Sequence, residues 1–243
     1  MKRLMGILAL CSLSGVAWAD DLTDVTEILK KADAATLKVK SATYDVTFDG
    51  IGAAKKRTGK LRGTYTIDGW TGLHPRRFHV KIKGTLPGSS KVHDIEAGSD
   101  GEMFFLVDHA NKKAYEDVEY GVMGSAVRMV LAGLMAEFTH PTPFSAEINA
   151  NKKELKGSKI VGGEDCYEIH VVYPSVGGQA VWCFSKKDFL PRSRVDLFDT
   201  LDGQEAGMRK ILTRLVVDPN LDDVYFKLDL LPEGYEKIDD FAP

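Results

Sequence analysis

Histidine and cysteine are the residues in this chain best suited to do chemistry, and their spacing decides what chemistry is open to them. The six histidines stand at 74, 79, 93, 109, 140 and 170. No two of them share the helical or tight strand spacing that would bring ligands onto one metal ion, so no metal site is expected. His79 and His170 sit among charged residues in alternating segments, the setting of solvated surface groups. Cys166 and Cys183 are too far apart for a Cys-x-x-Cys redox pair. A nucleophile elbow, a zinc-protease helix, a phosphate loop and a dinucleotide fingerprint are all missing. No catalytic residue and no cofactor is expected, and the chain does not read as an enzyme.

The cysteines have a structural use instead. Two strand-like runs flank Pro174-Ser175-Val176-Gly177-Gly178, and the turn between them sets whether the sulfurs can meet. A four-residue loop, 174–177, puts Cys183 opposite Glu168 and diagonal to Cys166 on the same face, where a bulge would let a disulfide form. A tight Gly177-Gly178 turn puts Cys183 opposite Val172 and forbids the bond. Two separate buried thiols are the plain alternative. An even pair of cysteines in an oxidising compartment favours the disulfide, and its formation is expected.

The compartment is read from the first nineteen residues. Lys2 and Arg3 precede an uncharged run from 4 to 16, and Ala17-Trp18-Ala19 stands before Asp20-Asp21. A basic start, an apolar core and small residues one and three before the break are what a signal peptidase reads, so cleavage after Ala19 and export to the periplasm are expected. The run falls short of the roughly 20 apolar residues that span a bilayer. Cys11 invites a lipoprotein reading, but Leu10 stands where such signals carry Gly or Ala. Removing 1–19 leaves a single domain, 20–243, large enough for a core and a ligand cavity. Losing Lys2 and Arg3 moves the net charge from -3 to -5 with signs interspersed, which argues against nucleic acid as a partner.

The elements that would position any site are mostly strands. Leu22, Val25, Ile28, Leu29, Ala32 and Ala35 recur at helical spacing between residues 21 and 40. Alternation then marks strands at 42–48, 61–67, 77–83, 103–107, 113–118, 155–161, 166–173, 180–184, 190–198, 210–217 and 224–228. One run breaks the pattern: residues 122–138 carry only Arg128 and Glu137 as charges, contain Met123, Met129 and Met135, and end before His140-Pro141-Thr142-Pro143. This reads as a second helix, either buried in the core or acting as a lid over a cavity. The expected fold is α+β: a strongly curved antiparallel sheet of about ten or eleven strands, a half-open β-barrel, covered by an N-terminal and a central helix.

Such a sheet has an inside. Phe78, Val80, Ile82, Met103 and Phe105 are available to its concave face, with Met129 and Leu134 above them on the central helix, and the composition is that of an apolar pocket. Side chains filling the same space would give a closed core, and composition does not separate the two.

In order along the chain, several short segments carry a resemblance. They are Ile28-Leu29-Lys30-Lys31-Ala32-Asp33-Ala34 before Val39-Lys40-Ser41-Ala42, then His74-Pro75-Arg76-Arg77-Phe78 and Ser99-Asp100-Gly101-Glu102-Met103-Phe104-Phe105. Further on come Gly162-Gly163-Glu164-Asp165-Cys166-Tyr167-Glu168-Ile169, Val181-Trp182-Cys183-Phe184 with Phe189-Leu190-Pro191-Arg192, and Asp222-Asp223-Val224-Tyr225-Phe226 before Pro232-Glu233-Gly234. Together the chain resembles the LolA-like superfamily of periplasmic lipoprotein carriers. The resemblance implies a half-open barrel covered by helices that holds acyl chains, with a lipid or lipidated protein as partner, transient membrane contact and a monomeric state. In the carriers a basic residue before the family proline latches the lid; His74 stands there, which points to a distant branch. An envelope sensor and a metal-free enzyme on the same half-barrel remain the alternatives.

Overall fold

Asp24 sets the start of the first helix, α1 (Val25–Thr36), by accepting hydrogen bonds from the backbone N–H groups of Thr26 and Glu27 at 2.7 and 3.3 Å. Ile28, Leu29, Ala32 and Thr36 fall on its buried side, and Glu27, Lys30 and Lys31 face water. The structure, a computed structural model, describes residues 21–56, 59–70, 75–85, 91–118, 132–173, 178–199, 203–228, 231 and 233–238. Ala17, Ala19, His74, Met123 and Met129 lie outside the described residues.

Strands make up the rest. β1 (Ser41–Gly52), β2 (Leu61–Trp70), β3 (Pro75–Thr85), β4 (Val92–Ser99), β5 (Phe104–Asp108) and β6 (Lys113–Asp117) form one meander. A second runs through β7 (Lys152–Val161), β8 (Glu164–Val172), β9 (Gln179–Ser185), β10 (Pro191–Asp199) and β11 (Glu205–Val217). The two join along β1 and β11, from Ala42 opposite Val217 to Gly52 opposite Ala206. Asp218 closes one end of that seam: its side chain accepts from the N–H groups of Lys40 and Ser41 at 2.7 and 3.0 Å. β12 (Glu236–Ile238) adds to β6 in parallel, so the sheet has twelve strands and all but this last pairing are antiparallel. β7 and β12 are its two edges, and the curved sheet stays unclosed. Register shifts at Asp45/Val46, Leu155/Gly157 and Pro191/Ser193 add the local twist that bends it.

The main core lies on the concave face, where Tyr44, Tyr65, Ile67, Val80, Leu106 and Trp182 are all buried. The opposite face carries a second, smaller core. The described residues 222–228, 231 and 233–238 form a strap on it, with Phe226 buried under the Arg77 guanidinium and Leu228, Leu231 and Tyr235 packed on Phe105, Val107 and Ala114.

Three sequence expectations change here. The strand expected at 224–228 is a 3-10 turn, Asp223–Phe226, because the Asp222 side chain accepts from the Val224 N–H and caps it. β4 was not expected at all, since only Ile95 and Ala97 of its residues are both apolar and inward; its pairing with β3 and β5 on either side holds it in the sheet. The helix expected to run to Phe138 is not continuous: of the described part only Ala132 is helical, and Ala136–Phe138 is a 3-10 turn. The cause is a competing acceptor. The N–H groups of Gly133 and Met135 donate to the Tyr65 and Tyr44 hydroxyls at 3.2 and 2.8 Å instead of to helix carbonyls.

Beneath the strap, Glu96 sits between two histidines. Its carboxylate lies 2.7 Å from His79 Nε2, 3.3 Å from His109 Nε2 and 3.4 Å from Lys81 Nζ, and His109 Nδ1 meets the Tyr235 hydroxyl at 2.9 Å. Partial burial pushes the carboxyl up, but the His79 bond and the charges of His79 and Lys81 outweigh it and hold Glu96 at about 2 against an ordinary 4.5. A carboxyl depressed on folding stabilises fully above its unfolded value, and that contribution is lost as pH falls from 4.5 through 2. Denaturation midpoints should therefore drop between pH 5 and pH 2.5, and Glu96→Gln should flatten the drop. An unchanged slope in the variant would show that other carboxylates carry it.

Candidate ligand-binding face

Pleat parity decides which side chains reach the concave face. Phe78 pairs with Ser99, Val80 with Ala97 and Ile82 with Ile95, and all of these point inward with Tyr65 and Ile67 beside them. Ser99 pairs in turn with Phe104 and Ala97 with Leu106, so β5 turns Phe104 and Leu106 inward. Phe105 therefore belongs to the other face, in the core under the strap, and does not line the concave side as expected. Met103 precedes the strand and is 39% exposed, so it does not line it either. The sequence expectation took the right strand and the wrong phase, because all four residues from 103 to 106 are apolar.

A short cover, residues 132–138, closes this face. Met135 and Phe138 are fully buried, and the Phe138 ring meets Tyr44 at 5.6 Å. Leu134 is half-buried against the same core, and its carbonyl accepts from Lys210 Nζ at 3.1 Å. Tyr44 and Tyr65 stack with ring centroids 5.4 Å apart, and each hydroxyl takes one N–H from the cover. Burial pushes both phenols up, so they remain neutral hydrogen-bonding groups. The cover is thus pinned by two tyrosines and one lysine standing on an otherwise apolar surface.

One end of the concave face is polar. Arg194 stacks on Trp182 at 4.9 Å, donates to Glu137 at 3.0 Å and to Asp196 at 2.7 Å. Burial works against its charge, but Glu137 and Asp196 keep it firmly protonated. Trp182 Nε1 donates to the Tyr173 hydroxyl at 3.2 Å, which donates to Glu147 at 2.6 Å. Burial pushes the Glu147 carboxyl up, and the Tyr173 bond opposes the shift. Burial also lowers Lys210. A cavity of about 330 Å³ opens among Glu137, His140, Thr142, Ser145, Glu147 and Arg194. Sequence reasoning missed this cluster. Its one signal was the charged pair Arg194 and Asp196 at strand spacing, where an inward-facing run should be apolar.

The cysteines follow the longer-turn register, with Cys183 opposite Glu168 and Val172 opposite Gln179. Both are nonetheless free buried thiols, which corrects the expected disulfide. Diagonal neighbours stand about 7–8 Å apart at Cα, beyond the roughly 6.8 Å a disulfide spans. The bulge needed to close that gap is missing, since the β8–β9 pairing runs without a shift. Burial, with Cys183 nearby, pushes the Cys166 thiol up to about 12, a setting that keeps it unreactive.

An unclosed, curved sheet with an apolar inner face, a pinned cover and a polar end defines a half-open barrel. Neither a protein-family model nor a curated protein matches the sequence. Among solved structures, the chain is similar to LprF from Mycobacterium bovis, with 9% identity over 80% of this chain and 95% of that one and a TM-score of 0.49. It is similar to a LolA superfamily protein from Nitrosomonas europaea, with 12% identity over 86% of this chain and 99% of that one and a TM-score of 0.34. MucB in complex with MucA(peri) shows 11% identity over 84% of this chain and a TM-score of 0.44, and this chain spans 59% of the length of that MucB chain. Likeness at this level says nothing of ligand or partner.

Proposed function

We propose that the protein is an exported periplasmic carrier whose concave face takes the acyl chain of a lipid or lipidated protein, without catalysing a reaction. One observation carries the reading: the apolar inner face is closed by a short cover held on hydrogen bonds to Tyr44, Tyr65 and Lys210. Each such bond is worth only about 0.5–1.5 kcal/mol net, so the cost of displacing the cover is mainly the apolar burial of Met135 and Phe138. An acyl chain taking the place of Met135 and Phe138 would restore the apolar contacts they give up. The signal-like start of the chain, the interspersed negative charge and the LolA-like resemblance agree with this use.

A fluorescent long-chain fatty acid, cis-parinaric acid, tests it. A single saturable site is expected. Val80→Asp should abolish binding, since an unpaired carboxylate in an apolar site costs several kcal/mol, and the milder Val80→Thr should weaken it while the fold survives. Phe105→Ala should leave binding unchanged, because that ring lies on the opposite face. No saturable binding by the unmodified protein, or equal losses from Val80→Thr and Phe105→Ala, would overturn the carrier reading.

A further inference from the structure

We propose that the cavity beside Glu147 is a receptor for a protonated amine, the cationic head of the amphiphile whose chain the concave face takes. This rests on the carrier reading and adds to it the chemistry of the head group. Glu147 is only 5% exposed, and the contact that holds it is the Tyr173 hydroxyl at 2.6 Å. Among the described residues no cation stands within ion-pair distance of it. Arg194 is the cavity's own cation, but its guanidinium is already shared between Glu137 and Asp196 and laid over Trp182. The balance of the cavity is therefore negative, with the polar residues Thr142 and Ser145 also lining it. A buried carboxylate whose nearest cation, Arg194, is out of ion-pair reach and shared with two other carboxylates is a costly arrangement that an incoming charge would relieve. An ammonium group fits because it is all donor, whereas a phosphate or carboxylate would face Glu137 and Glu147 with like charge.

The site also lies in the right place. Glu137 and Ala136 line the cavity from the cover, and the same turn buries Phe138 on the apolar face beside Tyr44. A chain that enters under the cover brings its head to this cavity.

Dodecylamine, dodecanoate and dodecanol share one chain and differ in head, and their binding at pH 8 by calorimetry separates chain from head. Dodecylamine should bind about tenfold tighter than the other two, a difference of about 1.4 kcal/mol. Glu147→Gln should bring it level with dodecanol while leaving dodecanol unchanged, and Glu147→Asp should keep part of the preference. Circular dichroism of both variants excludes misfolding. Equal binding of all three heads, or a preference that survives Glu147→Gln, would overturn the amine site and leave the carrier reading standing. Binding of none of the three would overturn the carrier reading instead. Ethylamine, tested alone, separates a free small amine from a lipid head: saturable binding of ethylamine with no binding of the long chains would keep the amine site and remove the carrier.

Discussion

Trp182→Ala is expected to destabilise the protein by about 3–5 kcal/mol, the cost of emptying a large buried aromatic site. The indole is fully buried and ties three parts of the structure together. Its ring stacks on Phe184 at 5.7 Å and meets Phe144 edge-on at 5.2 Å, which seats the segment before the short helix Ser145–Asn149. The Arg194 guanidinium lies over the ring at 4.9 Å, and the indole N–H supports Tyr173 and through it Glu147. Truncation therefore removes packing and loosens the polar end at once. Urea unfolding of the variant and of Trp182→Phe separates the two effects, since phenylalanine restores much of the packing but not the N–H. A loss below 1 kcal/mol for Trp182→Ala would show that the site collapses freely and that the indole is not the link described.

Gly133→Ala should have the next largest effect, about 1–3 kcal/mol for a group forced into filled space. A Cβ there would lie 2.5 Å from the Tyr65 hydroxyl oxygen and 2.6 Å from the ring carbon that bears it. Tyr65 cannot swing aside, because its ring is fully buried and stacked on Tyr44. The cover must lift instead, and the Gly133 N–H then loses its acceptor. Tyr65→Phe removes only that bond and should cost about 1 kcal/mol. If the cover gates the concave face, fatty-acid association in stopped flow should speed up in both variants, and more in Gly133→Ala. An association rate unmoved in both would mean that the cover does not stand in the ligand's way.

Most strands were legible because one of their faces is buried and the period of two survives in the sequence. β1 is the plainest case, where Tyr44, Val46 and Phe48 are buried between half-exposed neighbours. β4 was not, because its Gly98 and Ser99 are small residues chosen to fit against Phe105 and Phe78 rather than for strand propensity. Around Phe104 and Phe105 the hydrophobic signal is present in both phases, since both faces of that strand are covered, one by the main core and one by the strap. Only the partner register resolves it. The polar end was the least legible part. Glu137, Glu147, Tyr173 and Arg194 come from four separate stretches of chain, and nothing in their spacing reveals that tertiary packing brings them together around Trp182.

The seam between β1 and β11 also sets a clock. Its partners are some 150 to 175 residues apart, so at roughly 5–20 residues per second β1 leaves the ribosome about 10–30 s before the strand it pairs with. In that interval the first meander has every hairpin it needs, but one edge of β1 is bare, and the cover and the strands β7 to β10 emerge only in its later part. A half-sheet in that state sticks to whatever edge it meets. The topology therefore makes the newborn chain dependent on being held unfolded until residues 205–217 exist, and any truncation short of them should yield aggregate rather than a smaller folded protein.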